Sequence, residues 1–252
     1  MGTEVLESVA SWIGAAEYVT ALTGAGLSTD SGIPDYRGPQ GLWTKDPEAE
    51  KLSSLQHYMA DPAVRVRAWK ARVSHPAWNA APNAGHRALV DLEKKGKLQT
   101  LVTQNVDGLH QLAGTSRAIL IEIHGSMREV VCMSCGERSA MKAAVERVMA
   151  GENDPPCLSC GGILKSATIS FGQNLVARDL NRAAAAAASC DVFLAIGTSL
   201  QVHPVAALPR LAQDVGAKLV IFNRGATPYD EVADAVGDDP LSDVLPALAA
   251  MV

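Results

Sequence analysis

Apolar residues at helical spacing open the chain: Val5, Leu6, Val9, Trp12, Ile13 and Ala16 predict an amphipathic helix over residues 4–16. The unbroken run Tyr18-Val19-Thr20-Ala21-Leu22 then stops at Gly24 and Gly26. It reads as a buried parallel strand that breaks into a turn whose glycines let the backbone approach a pyrophosphate. Residues 55–75 carry helical spacing in two pieces, split where Asp61 can cap and Pro62 can start the second. A further helix over 84–95 begins after Asn83 and stops at Gly96. Two more buried strands, 98–103 and 118–123, run into Gln104-Asn105-Val106-Asp107 and into His124-Gly125. The rhythm resumes with an alanine-rich helix over 183–188 and a strand over 192–196 that ends in Gly197-Thr198-Ser199. A last strand, 219–222, ends in Asn223, and a helix over 241–251 closes the chain.

Strands separated by helices give a doubly wound, Rossmann-like parallel α/β sheet. Ligands of such sheets sit beyond the C-terminal strand ends, where these polar residues collect. The stretches 41–82 and 128–166 break the alternation. They are expected to form a smaller domain, a helical part and a cysteine-bearing part, beside a large domain built from 1–40, 83–127 and 167–252.

Composition narrows the class. In 252 residues, 48% are hydrophobic but only 4% aromatic, so aliphatic packing must fill the core. The net charge of −5 and the lack of a long basic run argue against nucleic acid as the main partner. No apolar stretch approaches a membrane span, and the first sixteen residues hold Glu4 and Glu7 without Lys or Arg. A cytoplasmic monomer is the expectation. Four of the five cysteines form two CxxC pairs, Cys132/Cys135 and Cys157/Cys160, with 21 residues between them. That is a zinc-ribbon layout, in which four thiolates close a tetrahedron around one structural zinc. Cys190 is expected to be a buried apolar residue.

At the strand ends, His124 suits a general base facing the crevice, since a free imidazole titrates near about 6.5. The other five histidines lack that setting; His86 and His110 fall on helices, as packing or capping residues. Gln104, Asn105 and Asp107 exceed what capping the next helix requires. Thr198 and Ser199 offer hydroxyl and N–H groups to phosphate at a helix start. Asn223 is placed for a ribose hydroxyl, or as a turn residue.

The segment GAGLSTDSGIPDYR (24–37) with TQNVDGLH, IHG, the two CxxC pairs, Phe171-Gly172, GTSL and the late strand ending in asparagine resembles the sirtuins in order and spacing. The resemblance implies an NAD site of Gly24, Ala25, Gly26, Asp35, Tyr36, Arg37, Gln104, Asn105, Val106, Asp107, Gly197, Thr198, Ser199 and Asn223. His124 and Asn105 would be catalytic, with Gln104 and Asn105 on the nicotinamide ribose and Val106 and Asp107 on the carboxamide. Phe171 and Gly172 would pair an extended acyl-lysine substrate. The implied activity is NAD-dependent protein-lysine deacylation, giving nicotinamide, O-acyl-ADP-ribose and free lysine. A mono-ADP-ribosyltransferase or long-chain deacylase is the alternative for the same pocket; His124 argues for deacylation. SGIPDYR and LVTQNVDGLH look most like class II sirtuins, and the acyl preference stays open, with acetyl as default. A dehydrogenase would need an acidic residue closing a strand about 20 positions past the glycines, where Trp43-Thr44-Lys45-Asp46 reads as irregular.

Overall fold

The computed structural model describes residues 2–36, 38, 41–46 and 53–252. Six strands, β1 (Val19–Thr23), β2 (Thr100–Thr103), β3 (Leu120–Glu122), β7 (Val192–Ile196), β8 (Lys218–Phe222) and β9 (Ala235–Gly237), form one sheet in the order β3-β2-β1-β7-β8-β9. Every pairing is parallel. The chain steps outward from β1 to β2 and β3, then returns to the other side of β1 with β7. Connections leaving β1 and β7 therefore diverge, and a crevice opens beyond the C-terminal ends of these two strands.

Both faces of the sheet are covered, which is why β1 and β7 are buried at every position rather than at alternate ones. Ala21, Leu101, Leu194 and Val220 point to one face, against Val9 and Ile13 of α1 (Thr3–Ala15), Leu89 and Leu92 of α5 (Ala84–Lys94) and Leu248 of α10 (Leu241–Met251). Leu22, Val102, Phe193 and Ile221 point to the other, against Ala183 and Ala187 of α8 (Ala177–Ala187) and Leu208 and Ala212 of α9 (Leu208–Asp214). Small alanines on α8 let its backbone lie close to the sheet.

A second, antiparallel sheet orders β5 (Arg138–Ala140), β4 (Gly125–Cys132) and β6 (Leu164–Thr168), with α7 (Met141–Met149) beside it. Helices α3 (Leu55–Ala60) and α4 (Pro62–Val73) pack against this unit. Asp61 accepts from the Ala63 N–H at 2.8 Å and Pro62 opens α4, as the cap-and-proline signal predicts. The fully buried Trp69 shares a core with Val130, Met141 and Leu164. Tyr58 Oη donates to Leu164 O at 2.7 Å, and Arg65 pairs with Asp154 at 2.6 Å.

The stretch 128–166 carries most of β4, all of β5 and the start of β6. Three expectations are corrected. The strand at 219–222 is not the last: β9 follows, three residues long and with Gly237 at its end, too short for a periodic signal. No helix starts at Thr198; the chain stays irregular until a single 3-10 turn at Val205–Ala207. The Trp43–Asp46 stretch holds a one-turn helix, α2 (Leu42–Lys45). Among the described residues, no helix is long and apolar enough to cross a membrane.

Candidate active site and metal centre

The crevice is built where the turns after β1 and β7 touch. Gly24 N–H donates to Ile196 O and Gly26 N–H to Gly197 O, each at 2.9 Å. A Cβ on Gly24 would lie 2.7 Å from Gly197 O, and one on Gly26 would lie 2.8 Å from Gly197 Cα. The immediate demand for glycine is thus contact between two backbones; a side chain at either position would wedge the turns apart. A 3-10 helix (Ala25–Ser31) follows, which aims Ser28 back under the strand ends. Leu200, just past Gly197-Thr198-Ser199, is held at φ 53°, a strained value for a residue with a Cβ.

Buried polar groups from β1, β2 and the 3-10 helix form one network. Asn105 Nδ2 donates to Gly24 O at 3.0 Å and to Ser28 Oγ at 3.1 Å; Ser28 Oγ donates to Asp107 Oδ2 at 2.8 Å. Asp107 Oδ1 accepts from Leu109 N–H at 2.9 Å, so it also caps α6 (Leu109–Ala113). Gln104 Nε2 reaches across the crevice to Thr198 Oγ1 at 2.8 Å. Val106 O accepts from Met127 N–H at 2.9 Å.

Below this layer, Thr23 Oγ1 donates to Thr103 Oγ1 at 2.9 Å, and Thr103 Oγ1 also accepts from the Asn105 N–H at 3.1 Å. With its one proton used, Thr23 Oγ1 accepts from His110 Nε2 at 3.0 Å, which leaves His110 Nδ1 unprotonated. His86 Nδ1 donates to Asn83 Oδ1 at 3.0 Å, which leaves its Nε2 unprotonated in the same way. These two lone-pair nitrogens are buried without partners, and the ring centroids lie 5.0 Å apart. Burial holds both imidazoles well below their usual range, so they stay neutral posts under the crevice.

His124 lies between β3 and β4, tied down by Ile169 N–H on its carbonyl at 2.7 Å. Its Nδ1 is 3.2 Å from Gln104 O, an acceptor only. That contact fixes the tautomer: Nδ1 carries the proton and Nε2 keeps a lone pair. Burial pushes the His124 pKa down, partly opposed by the Gln104 carbonyl, so the ring is neutral at pH 7.

The remaining expected residues divide. Tyr36 is 38% exposed as a whole residue, yet desolvation of its phenol raises the pKa, with Asp107 adding to this and Arg72 opposing. Asp35 uses Oδ1 to accept from Gly38 N–H at 3.0 Å, closing a local turn. Arg37 lies outside the described residues. Ala25 and Ser199 are half-buried at the turns. Asn223 donates from Nδ2 to Gly225 O at 2.6 Å, the behaviour of a turn asparagine. Phe171 N–H donates to Ser53 O at 2.8 Å and its carbonyl accepts from Leu55 N–H at 3.0 Å. The chain satisfies that backbone edge itself. Gly172, at φ 80°, sits in a turn closed by Gln173 N–H on Ser170 O at 2.9 Å. A surface groove of about 490 Å³ between α5 and α10, lined by Arg87, Lys94, Lys95 and Pro246 among others, contains none of these residues.

The thiolates of Cys132, Cys135, Cys157 and Cys160 all lie within 4.8 Å of one another. Cys132 and Cys160 are 3.5 Å apart and Cys135 and Cys157 are 3.8 Å apart. A zinc tetrahedron with Zn–S of about 2.3 Å requires edges of roughly 3.8 Å, so the donor set fits one zinc with no open position. Ser134 and Cys135 N–H point at Cys132 Sγ, at 3.4 and 3.5 Å, as expected of a thiolate held in a CxxC turn. Cys190 is buried, with its thiol pushed up to about 11 by burial, and stands apart from the four.

Ser28, Thr23 and Thr103 were not among the residues expected from the sequence, yet they carry the network that holds Asn105 and Asp107. Thr23 meets Thr103 across 80 positions and Ser28 meets Asp107 across 79, so only the strand register brings them together.

The sequence and fold match known proteins along most of the chain. The Sir2 family matches residues 24–204. NAD-dependent protein deacetylase 2 of Streptomyces coelicolor is 55% identical over 230 residues, 91% of this chain and 95% of that protein. NAD-dependent protein deacetylase 1 of Pyrobaculum aerophilum is 43% identical over 98% of this chain and 94% of its own length. A solved Sir2 enzyme superposes with a TM-score of 0.89 at 34% identity, over 99% of this chain and 98% of its own. A second, solved as a complex of Sir2 with a p53 peptide and NAD+, gives a TM-score of 0.87 at 28% identity over 97% of both chains.

Proposed function

The chain belongs to the Sir2 family, and from that membership together with the crevice geometry we infer that it is an NAD-dependent protein deacylase acting on acylated lysine side chains. The observation that carries this reading is His124: one nitrogen is spent on Gln104 O and the other keeps a lone pair at the crevice. Transfer of ADP-ribose to a protein nucleophile needs no base aimed at a ribose hydroxyl. Deacylation does.

NAD, the co-substrate, supplies an anomeric carbon that nicotinamide leaves when the acyl oxygen attacks. In this reading the turns at Gly24–Gly26 and Gly197–Ser199, with Tyr36 and Arg37, take the phosphates and ribose. Asn223 takes the adenine ribose. Gln104 and Asn105 orient the nicotinamide ribose, with Asn105 held by Gly24 and Ser28. Val106 and Asp107 receive the carboxamide. His124 Nε2 accepts the ribose hydroxyl proton. Phe171 and Gly172 pair the extended acyl-lysine substrate. The four cysteines hold one structural zinc, away from the chemistry. A large domain of 1–40, 83–127 and 167–252 with small-domain inserts 41–82 and 128–166 completes the reading. Acetyl-lysine is the default substrate, in a cytoplasmic monomer that does not act on nucleic acid.

The pH dependence tests it. Only neutral His124 can take the proton, and its pKa in the fold lies below the ordinary 6.5. Deacylation kcat/KM should therefore be flat above pH 7 and fall as pH drops through that depressed value, below 6.5, with unit slope. A limb whose midpoint lies above 6.5 would remove His124 from the role.

A further inference from the structure

Arg128, on β4, belongs to none of the motifs above, yet it is tied to the loop beneath the proposed nicotinamide site. Its Nε donates to Asp107 O at 3.0 Å and its Nη2 to Ala77 O at 3.1 Å. The guanidinium lies over the Trp78 ring, 5.2 Å from the centroid. One residue earlier, Met127 N–H takes Val106 O at 2.9 Å. β4 thus holds two successive carbonyls of the 106–107 segment. In a trans peptide the N–H points opposite to the carbonyl. Turning the Val106 and Asp107 carbonyls toward β4 therefore turns the Asp107 and Gly108 N–H groups to the other side. The Asp107 carboxylate is fixed separately, by Ser28 and Leu109. Gly108, at φ 77°, leaves room for the clamp; a Cβ there would lie 3.0 Å from Arg128 Nε.

We propose that Arg128 is a positioning residue for the nicotinamide carboxamide: its bond to Asp107 O, with the other arm of the guanidinium braced on Ala77 O, sets the Asp107–Gly108 peptide plane and so holds the 106–108 segment that meets that amide. This rests on the reading that Val106 and Asp107 receive the carboxamide. Because nicotinamide is both the leaving group and a product, the clamp governs NAD binding and product inhibition together, without governing the acyl peptide.

The test compares wild type with Arg128→Met and Arg128→Lys. KM for NAD, the nicotinamide inhibition constant, KM for an acetyl-lysine peptide and the thermal midpoint are read for each. Losing a charge-assisted hydrogen bond to a buried carbonyl should raise the first two constants in Arg128→Met by about tenfold, together, and leave peptide KM unchanged. Arg128→Lys keeps a charged donor but not the fork, and should fall between. A merely structural arginine would lower the thermal midpoint and kcat with both constants unmoved, and that result overturns the proposal. Should Arg128→Met fail to fold, Arg128→Lys alone decides: constants equal to wild type overturn it. A wild-type protein that cleaves no NAD defeats the underlying site reading, a result distinct from an active wild type with insensitive variants.

Discussion

Replacing His124 with alanine should lower kcat for deacylation by about 10² to 10⁴, the usual worth of a positioned general base. The geometry says which step fails. Nothing at His124 touches the groups proposed to hold the carboxamide, and its Nδ1 proton goes to the Gln104 carbonyl. Cleavage of the nicotinamide bond precedes the proton transfer, so exchange of labelled nicotinamide into NAD should persist in the variant. His124→Asn sharpens the point, because its amide can still donate to Gln104 O but offers no basic nitrogen. It should match the alanine variant in kcat. Full deacylation by either variant would sink the assignment.

Stripping the metal should be the other large effect. Structural four-thiolate zinc sites contribute on the order of 10 to 16 kcal/mol of apparent binding energy, comparable to the whole stability of a domain. Here two of the ligands, Cys132 and Cys157, are also core residues, packed with Trp69, Val130, Met141 and Leu164. Their release would open the core that joins α4 and α7 to the small sheet. The consequence reaches the crevice through two backbone bonds, Ile169 N–H on His124 O and Met127 N–H on Val106 O. Chelation, or Cys157→Ser, should therefore abolish deacylation and remove a cooperative thermal transition, although no zinc ligand is in the crevice. Restored zinc should rescue the chelated wild type but not the variant. Cys190→Ser should leave metal content at one zinc per chain. Activity and melting that survive complete zinc loss would show that the small sheet stands without it.

The parts legible in the sequence are those with local causes. β7 and α10 match their runs residue for residue, Asp61 and Asn83 cap where their side chains predict, and the CxxC spacing brings four sulfurs together. Phe171 and Ser28 mark the limit. The bridge between Ser54 and Phe171 depends on where residues 53–55 fold back, and no local pattern encodes that. Ser28 looks like any polar residue after a glycine turn until the register of β1 with β2 places Asn105 and Asp107 over it. β9 escaped for a third reason: a three-residue edge strand carries too few positions for a period. The unpartnered nitrogens of His86 and His110 likewise follow from helix packing, since their helices meet only through the fold.

The most direct test is a mass-spectrometric product analysis of the purified protein with NAD and a panel of acyl-lysine peptides, from acetyl to long-chain. The account predicts free lysine, nicotinamide and O-acyl-ADP-ribose in equal amounts, with the fastest peptide setting the acyl preference. Nicotinamide release with ADP-ribose left on protein and every peptide still acylated would contradict it.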